Sequence, residues 1–259
     1  MQRGQQKSLI VAALIALAGA LTFANSLDNG FHYDDEHSIL KNPHIRSLRH
    51  IPTFFIDPSM FSGLEDVGMY RPVLLCSYAL NYALGGYQVW GYHLVNMLLH
   101  IGNGVLVWVV GRRLMPTGLG ALAAGLLFVC HPLACEPVNY ISSRSSLLVT
   151  LFYLLGIWAY ARSVAAGSAR QAWAAVGWYI SALGAKATGI TLPGLAWLWP
   201  DSSMGQPPKW IYGLLAAVAG LYTWSVWALA DKAFGAPVRS LFTEKVDAAA
   251  PVTDGLSLS

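Results

Sequence analysis

Eight long apolar runs divide this chain, and no soluble core of its size could bury all of them. The first is "LIVAALIALAGALTFANS", about 18 apolar residues behind "MQRGQQKS". The others fall at about 71–86, 90–111, 117–133, 145–161, 171–185, 187–199 and 210–230, separated by Gly, Pro or charge. Of the 259 residues 55% are hydrophobic and only 11% charged, with ten Trp and a mean hydropathy of +0.48. Such a chain is read as an all-α integral membrane protein.

Charge predicts how the runs are threaded. The first run follows Arg3 and Lys7 and reads as an uncleaved signal anchor, although Thr22 and Ala24 are small enough to mark a processing site. If that N-terminus is cytoplasmic, Arg112, Arg113, Arg162, Arg170 and Lys209 return to the same side only when 71–86 is not a full crossing. The segment "YRPVLLCSYALNYALGG" is short and carries Arg71, Ser77 and Asn81, which suits a helix lying in the outer interface. The expectation is then about seven transmembrane helices in a membrane domain 1–230. A first extracytoplasmic loop, 26–89, would hold the interfacial helices, and a polar tail, 231–259, would lie outside. The inner side would hold Arg3, Lys7, Arg112, Arg113, Arg162, Arg170 and Lys209 against one acid, Asp201. The very short loops predict a bacterial inner membrane.

That topology gathers the polar residues on one face. All seven histidines lie between His32 and His131, and seven of the thirteen acids lie between Asp28 and Asp66. Within the run 90–111, His93, Asn96 and His100 recur at i, i+3 and i+7, one stripe of a helix. Such side chains are costly in lipid, so they face protein or a wet cavity. Interhelical hydrogen bonding explains the stripe equally well. Likewise Arg144 reads as an interfacial anchor, Pro132 and Pro137 as helix stops, and "DDE" as a solvated loop with a cap. Their coincidence on one side favours a single outward-opening crevice. Lys and Arg are too scattered to track a phosphate backbone, so no nucleic acid is expected. Cys76, Cys130 and Cys135 read as structural, and "CHPLAC" lacks a second ligand pair for zinc.

Four stretches carry a family resemblance: "YDDEHSILKNP", "YRPVLLCSYALNYALGGYQVWGYHLVNMLLH", "HPLACEPVNYISSRSSLLVTLFYLLGIWAY" and "KATGITLP". In order and spacing they resemble the transmembrane-and-tetratricopeptide-repeat O-mannosyltransferases and their bacterial relatives, over residues 8 to 200. The resemblance implies a GT-C glycosyltransferase fold with a catalytic acid in the first extracytoplasmic loop and a polyprenyl-phosphate-linked sugar as donor. Transfer to a hydroxyl needs a carboxylate to take the acceptor proton and cations to hold the departing phosphate. The resemblance places Asp34 and Asp35 at the transfer point without choosing between them. It makes Arg71, Arg144 and Lys186 the phosphate partners, and puts His93, Asn96, His100, His131 and Glu136 in the substrate pocket. No cofactor is called for, and no divalent metal is indicated.

The chain also departs from that pattern. The usual Lys-Glu pair before "TGITLP" is here Lys186-Ala187, and no 34-residue repeat is visible. Relatives continue into further helices, whereas here about 30 residues follow the last run. Two readings therefore stand: a lipid-linked-sugar-dependent glycosyltransferase completed by another membrane subunit, or a catalytically silent GT-C-derived scaffold in a larger membrane complex. Asp34, Asp35, Arg144 and Glu136 favour the first, Ala187 the second. A transporter is a weaker third reading, since no inverted repeat halves are visible.

Overall fold

The computed structural model describes residues 2–64, 67–198 and 210–234, and these are all-α, with no strand among them. In chain order the helices are α1 (Gln2–Phe23), α2 (Ile51–Phe54), α3 (Pro72–Gly85), α4 (Val89–Leu114) and α5 (Gly118–Cys130). They continue with α6 (Cys135–Asn139), α7 (Arg144–Ala166), α8 (Ala169–Ala185), α9 (Leu192–Trp197) and α10 (Trp210–Phe234). Of the tail expected at 231–259, residues 231–234 close α10 and the remainder lies outside the described residues.

The seven expected spans are corrected to four or five. The segments Gly4–Asp28, Val89–Leu114, Ile141–Ala166 and Trp210–Leu229 are long and apolar enough to cross a membrane. A fifth exists if Gly118–Cys130 and Pro132–Asn139, bent by 49° at the break, count as one crossing. The expected span 171–185 is helix α8, whose 17 residues rise only about 25 Å at 1.5 Å each, short of a ~30 Å hydrocarbon core. The run at 187–199 is not one helix at all. It begins as a 3-10 turn, Ala187–Thr191, before the six residues of α9. Gly189 is held so close to α8 that an added Cβ would meet the Ala182 backbone at 3.0 Å, so the chain folds back there rather than running on.

Packing follows residue size and chemistry. Where α4 crosses α5, Gly111 lies against Ala121, and Gly104 faces Val129 and the Gly125 carbonyl. Small residues let these helix backbones approach closely, the device that holds helices together where lipid removes the hydrophobic drive. Ile15 of α1 and Trp108 of α4 complete this cluster. A second core joins α7, α8, α9 and α10 through Tyr160, Val176, Leu183, Leu192 and Ile211. Arg112 at the end of α4 donates to Ser8 Oγ of α1 at 3.3 Å, so the basic ends of both helices lie together. At the other end of α4, His93 Nε2 lies 3.4 Å from the Gly30 carbonyl, just past α1.

The segment between α1 and α3 is compacted by polar staples. Asn42, fully buried, donates to the carbonyls of Met60 and Phe61 at 3.1 and 3.0 Å and accepts from His44 N at 2.9 Å. Its apolar side, Ile39, Ile45 and Phe54, packs on Leu74, Tyr78 and Tyr92. The deepest tie is Arg144, 0% exposed at the start of α7. Its Nε donates to Asn96 Oδ1 at 2.7 Å, its Nη2 to Asn81 Oδ1 and the Tyr92 carbonyl at 3.0 Å each, and its Nη1 to the Ser77 carbonyl at 3.3 Å. The rings of Tyr78 and Tyr92 flank it at 5.0 and 5.5 Å.

Truncating that guanidinium would strand several buried acceptors, each at a cost of about 1–3 kcal/mol. Arg144→Ala is therefore expected to yield little monodisperse protein by size-exclusion chromatography in detergent. Arg144→Lys, which keeps the charge but loses the planar fork, recovers only part of the thermal stability.

Candidate active site

The loop after α1, the start of α3, the α6–α7 corner and the end of α8 meet around a polar cavity of about 390 Å³. Four of the residues expected at the site line it: Asp34, Arg71, Glu136 and Lys186. With them are residues the sequence reading did not single out, His37, Ser38, Tyr78, Tyr140, Ser142, Ser143 and Ser145. The signal for several was present in "YISSRSS", a hydroxyl run at the mouth of a hydrophobic helix, and in the Tyr-rich flanks.

The two neighbouring aspartates have opposite environments. Asp35 is 0% exposed; its Oδ1 accepts from Ser142 N at 2.8 Å and Ser142 Oγ at 2.6 Å, and its Oδ2 accepts from His32 N at 3.0 Å. With both oxygens engaged, it ties the loop to the start of α7 and does not line the cavity. Asp34 lines the cavity with its side chain 65% exposed, and the only basic side chain within 4 Å of it among the described residues is the His37 imidazole, at 3.7 Å. Its backbone is fixed from three directions. Asp34 N donates to Tyr140 Oη at 3.0 Å, and its carbonyl accepts from Ser38 N at 2.9 Å and Ser38 Oγ at 2.6 Å. Just ahead, Tyr33 sits in the left-handed region at φ 47°, costing of order 1–3 kcal/mol. Just behind, Glu36–Leu40 forms a single wide π turn. The backbone thus reverses sharply around Asp34, which turns its carboxylate to the cavity while its neighbour goes inward.

The cations are poised for an anion. Among the described residues the ion pairs are His37–Asp34 and Lys41–Glu36, so neither Arg71 nor Lys186 has a carboxylate partner within 4.0 Å. Arg71 Nη1 donates to Ser145 Oγ at 3.3 Å and its guanidinium lies 5.8 Å from the Phe61 ring centre. Lys186 Nζ donates to Ser146 Oγ at 2.8 Å. Burial lowers the pKa of Arg71, partly offset by nearby Tyr and by Asp34. Burial also lowers Lys186, with the Arg71 charge adding to the effect and Glu136 opposing it. Two cations whose charged forms burial disfavours beside a cavity would both regain stability on meeting a negative group. The phenol of Tyr140 is pushed up to about 12, chiefly by burial, with its bond to the Asp34 backbone opposing and the Asp34 carboxylate adding to the rise, so it remains protonated. Glu136 Oε1 accepts from Ser143 Oγ at 3.1 Å, which holds a second carboxylate on the rim.

The remaining expected site residues lie elsewhere. Arg144 is occupied by the helix ties described above and does not line the cavity. Asn96 is spent on Arg144 and, through Nδ2, on the Pro137 and Tyr140 carbonyls at 3.4 Å each. His93 is buried against the Gly30 carbonyl, so these members of the α4 stripe bond between protein segments. His100 and His131 line a separate cavity between α4, α5 and α7.

Beside the polar cavity is an apolar one of about 310 Å³, walled by Tyr70, Ala187, Tyr222, Val226 and Leu229 among others. The two share Met69, Arg71 and Lys186. A polar cavity and an apolar cavity that share two cations, the second lying against α10, a helix long and apolar enough to cross a membrane, mark the candidate site of this all-α membrane protein. Comparison with known proteins narrows this further: the chain is homologous to the N-terminal membrane region of the transmembrane-and-tetratricopeptide-repeat protein O-mannosyltransferases. It is 39% identical over 157 residues to the protein O-mannosyl-transferase Tmtc1 of Drosophila melanogaster, covering 59% of this chain and 18% of that one. It is 32% identical over 202 residues to the protein O-mannosyl-transferase TMTC2 of Mus musculus, covering 75% and 23%. To its counterpart in Homo sapiens it is 33% identical over 178 residues, covering 66% and 21%. The chain thus spans less than a third of the length of these relatives. No family model and no solved structure matches it.

The two aspartates should separate experimentally. Asp35→Asn presents an amide N–H₂ or a neutral oxygen to three donors and is expected to lower thermal stability in detergent by about 2 kcal/mol, the worth of charge-assisted bonds. Asp34→Asn, isosteric and largely solvated, is expected to leave the melting temperature unchanged.

Proposed function

We propose that this chain is the membrane core of a glycosyltransferase that moves a sugar, mannose on the strength of its relatives' names, from a polyprenyl phosphate to a hydroxyl acceptor. The observation that carries the proposal is the shared threshold: Arg71 and Lys186 belong both to the polar cavity holding Asp34 and Glu136 and to the apolar cavity along α10. A lipid-phosphate sugar has three parts in that same order. The sugar occupies the polar side, the phosphate meets the two cations, and the first prenyl units run along Tyr222, Val226 and Leu229.

In this reading the acceptor oxygen attacks the anomeric carbon as the bond from that carbon to the phosphate oxygen breaks. Asp34 takes the hydroxyl proton and later releases it to solvent. The polyprenyl phosphate leaves with the bonding electron pair, and its added negative charge is met by Arg71 and Lys186, where stabilisation grows as the bond breaks. Glu136 and the Ser142, Ser143 and Ser145 hydroxyls are placed to hold sugar hydroxyls, and Tyr140 fixes the Asp34 backbone. We place the cavity on the extracytoplasmic side, because Lys7, Arg112 and Arg113 cluster at the opposite ends of α1 and α4.

The test is transfer from synthetic polyprenyl-phosphate mannose to a hydroxyl acceptor peptide by purified protein. Asp34→Asn is expected to cut kcat by about 10²–10⁴-fold with melting unchanged, whereas Arg71→Met and Lys186→Met act on capture of the donor as well. Because Lys186 loses its proton below the ordinary lysine value of 10.5, kcat/KM should decline on the alkaline side earlier than for an exposed lysine. Lys186→Arg should move that decline to higher pH. Inactivity of native protein and Asp34→Asn alike, with stoichiometric co-purification of a larger membrane assembly, would instead establish the scaffold reading.

A further inference from the structure

Tyr33 is the one residue other than glycine with a left-handed backbone among the described residues. At φ 47° its Cβ crowds the following carbonyl, a conformation that Gly, Asn or Asp enters far more readily than a bulky ring. Such strain persists where surrounding bonds over-determine it, and it gathers at ligand-binding sites. Here those bonds lie on either side of the strained residue. Asp34 N donates to Tyr140 Oη at 3.0 Å, and Asp35 N donates to the His32 carbonyl at 3.0 Å.

The ring that this backbone carries does little to hold the fold. It is 88% exposed, and its aromatic contact is edge-on with Tyr140, ring centres 6.3 Å apart. It is not placed to anchor in lipid either. His32, Asp34 and Glu36 around it are all exposed, and carboxylates are costly among acyl chains, so this part of the loop meets water. The same tyrosine pair stands beside the polar cavity. Tyr140 lines that cavity and holds the Asp34 backbone, while Asp34 and Glu136 line it and are exposed, so it opens next to them. A molecule whose hydroxyl reaches Asp34 therefore passes beside two tyrosine rings.

Spacing gives the chemistry of that molecule. Tyr33 and Asp34 are consecutive, with Cα atoms about 3.8 Å apart, and the phenol reaches further from the backbone than the carboxylate. In an extended peptide, side chains two positions apart share one face at about 6.7 Å. With the hydroxyl residue at Asp34, the residue next but one comes within reach of the Tyr33 ring. An aromatic side chain there gains an offset or edge-to-face contact beyond simple burial.

We infer that Tyr33 and Tyr140 form an acceptor subsite that takes an extended hydroxyl-bearing peptide with an aromatic side chain two positions from the hydroxyl residue. The inference rests on the proposed function in taking this cavity as the one a hydroxyl acceptor enters; recognition of the ring needs no transfer.

The test is fluorescence anisotropy of labelled serine peptides with the purified full chain, carrying Phe or Leu two positions from the serine. Native protein is expected to bind the Phe peptide about three- to ten-fold more tightly than the Leu peptide, the worth of an aromatic pair. Tyr33→Phe keeps that preference. Tyr33→Asn, which suits the left-handed backbone, abolishes it without lowering the melting temperature, so misfolding does not account for the loss. In the transfer assay, Tyr33→Asn raises KM for the Phe peptide more than it lowers kcat. A preference for Phe without any sugar transfer keeps the subsite and rejects the glycosyltransferase reading. Equal binding of the two peptides, binding of neither, or a preference that survives in Tyr33→Asn overturns the inference, whether or not sugar is transferred.

Discussion

A buried guanidinium with no carboxylate within 4.0 Å among the described residues is the constraint on which the rest of this structure depends. Arg144 cannot shed its proton cheaply, and taking its charge out of water is justified only when every donor is matched. The protein matches them with neutral oxygens from α3 and α4 and with two tyrosine faces. Because α3 lies in one segment, α4 in the next and Arg144 at the head of α7, their relative positions are fixed by one planar group. The polar cavity is built on the outer side of that knot. Arg71 immediately precedes α3, and Ser142, Ser143 and Ser145 flank Arg144 itself. Movement at the knot would therefore displace cation and hydroxyls together.

This division of labour between neighbours recurs. Arg144 is structural while Ser143 and Ser145 beside it face the cavity; Asp35 is structural while Asp34 beside it faces the cavity. In each pair one buried member anchors the chain through charge-assisted or forked hydrogen bonds, and the neighbour that lines the cavity inherits a fixed position. The proposed function asks for a carboxylate that is held without having its lone pairs consumed. Backbone bonds from Tyr140 and Ser38 achieve that for Asp34, leaving its side chain to solvent and substrate.

Much of this was legible in the sequence, and the gaps have physical causes. Charge gathered the acids of the first loop and Glu136, and the family resemblance added Arg71 and Lys186; Asp34, Arg71, Glu136 and Lys186 line one cavity. Asp34 and Asp35 could not be told apart, since the distinction is made by Ser142, 107 positions away in sequence. Arg144 looked like a phosphate ligand because a lone arginine at a membrane-helix start is equally suited to both uses. His93 and Asn96 obeyed the alternative reading of their stripe, bonding between segments. The count of spans failed where apolar composition persisted through breaks of helix: α8 is too short, and 187–199 turns at Gly189 and Pro193 before a helix can extend.

Ala187, where the resembling family has a glutamate after the lysine, bears on whether the site is disabled. It lines the apolar cavity beside Lys186, not the polar one. A carboxylate there would sit on the lipid side of the threshold and share the lysine's charge. Without it, Lys186 keeps only a hydroxyl partner, Ser146, and its ammonium is more available to an incoming phosphate. Two carboxylates remain on the polar side, one solvated and one held by Ser143. The substitution therefore changes the net charge at the threshold toward positive while leaving Asp34 and Glu136 in place, so under the proposed function it alters how an anion would be held rather than removing the proposed proton acceptor.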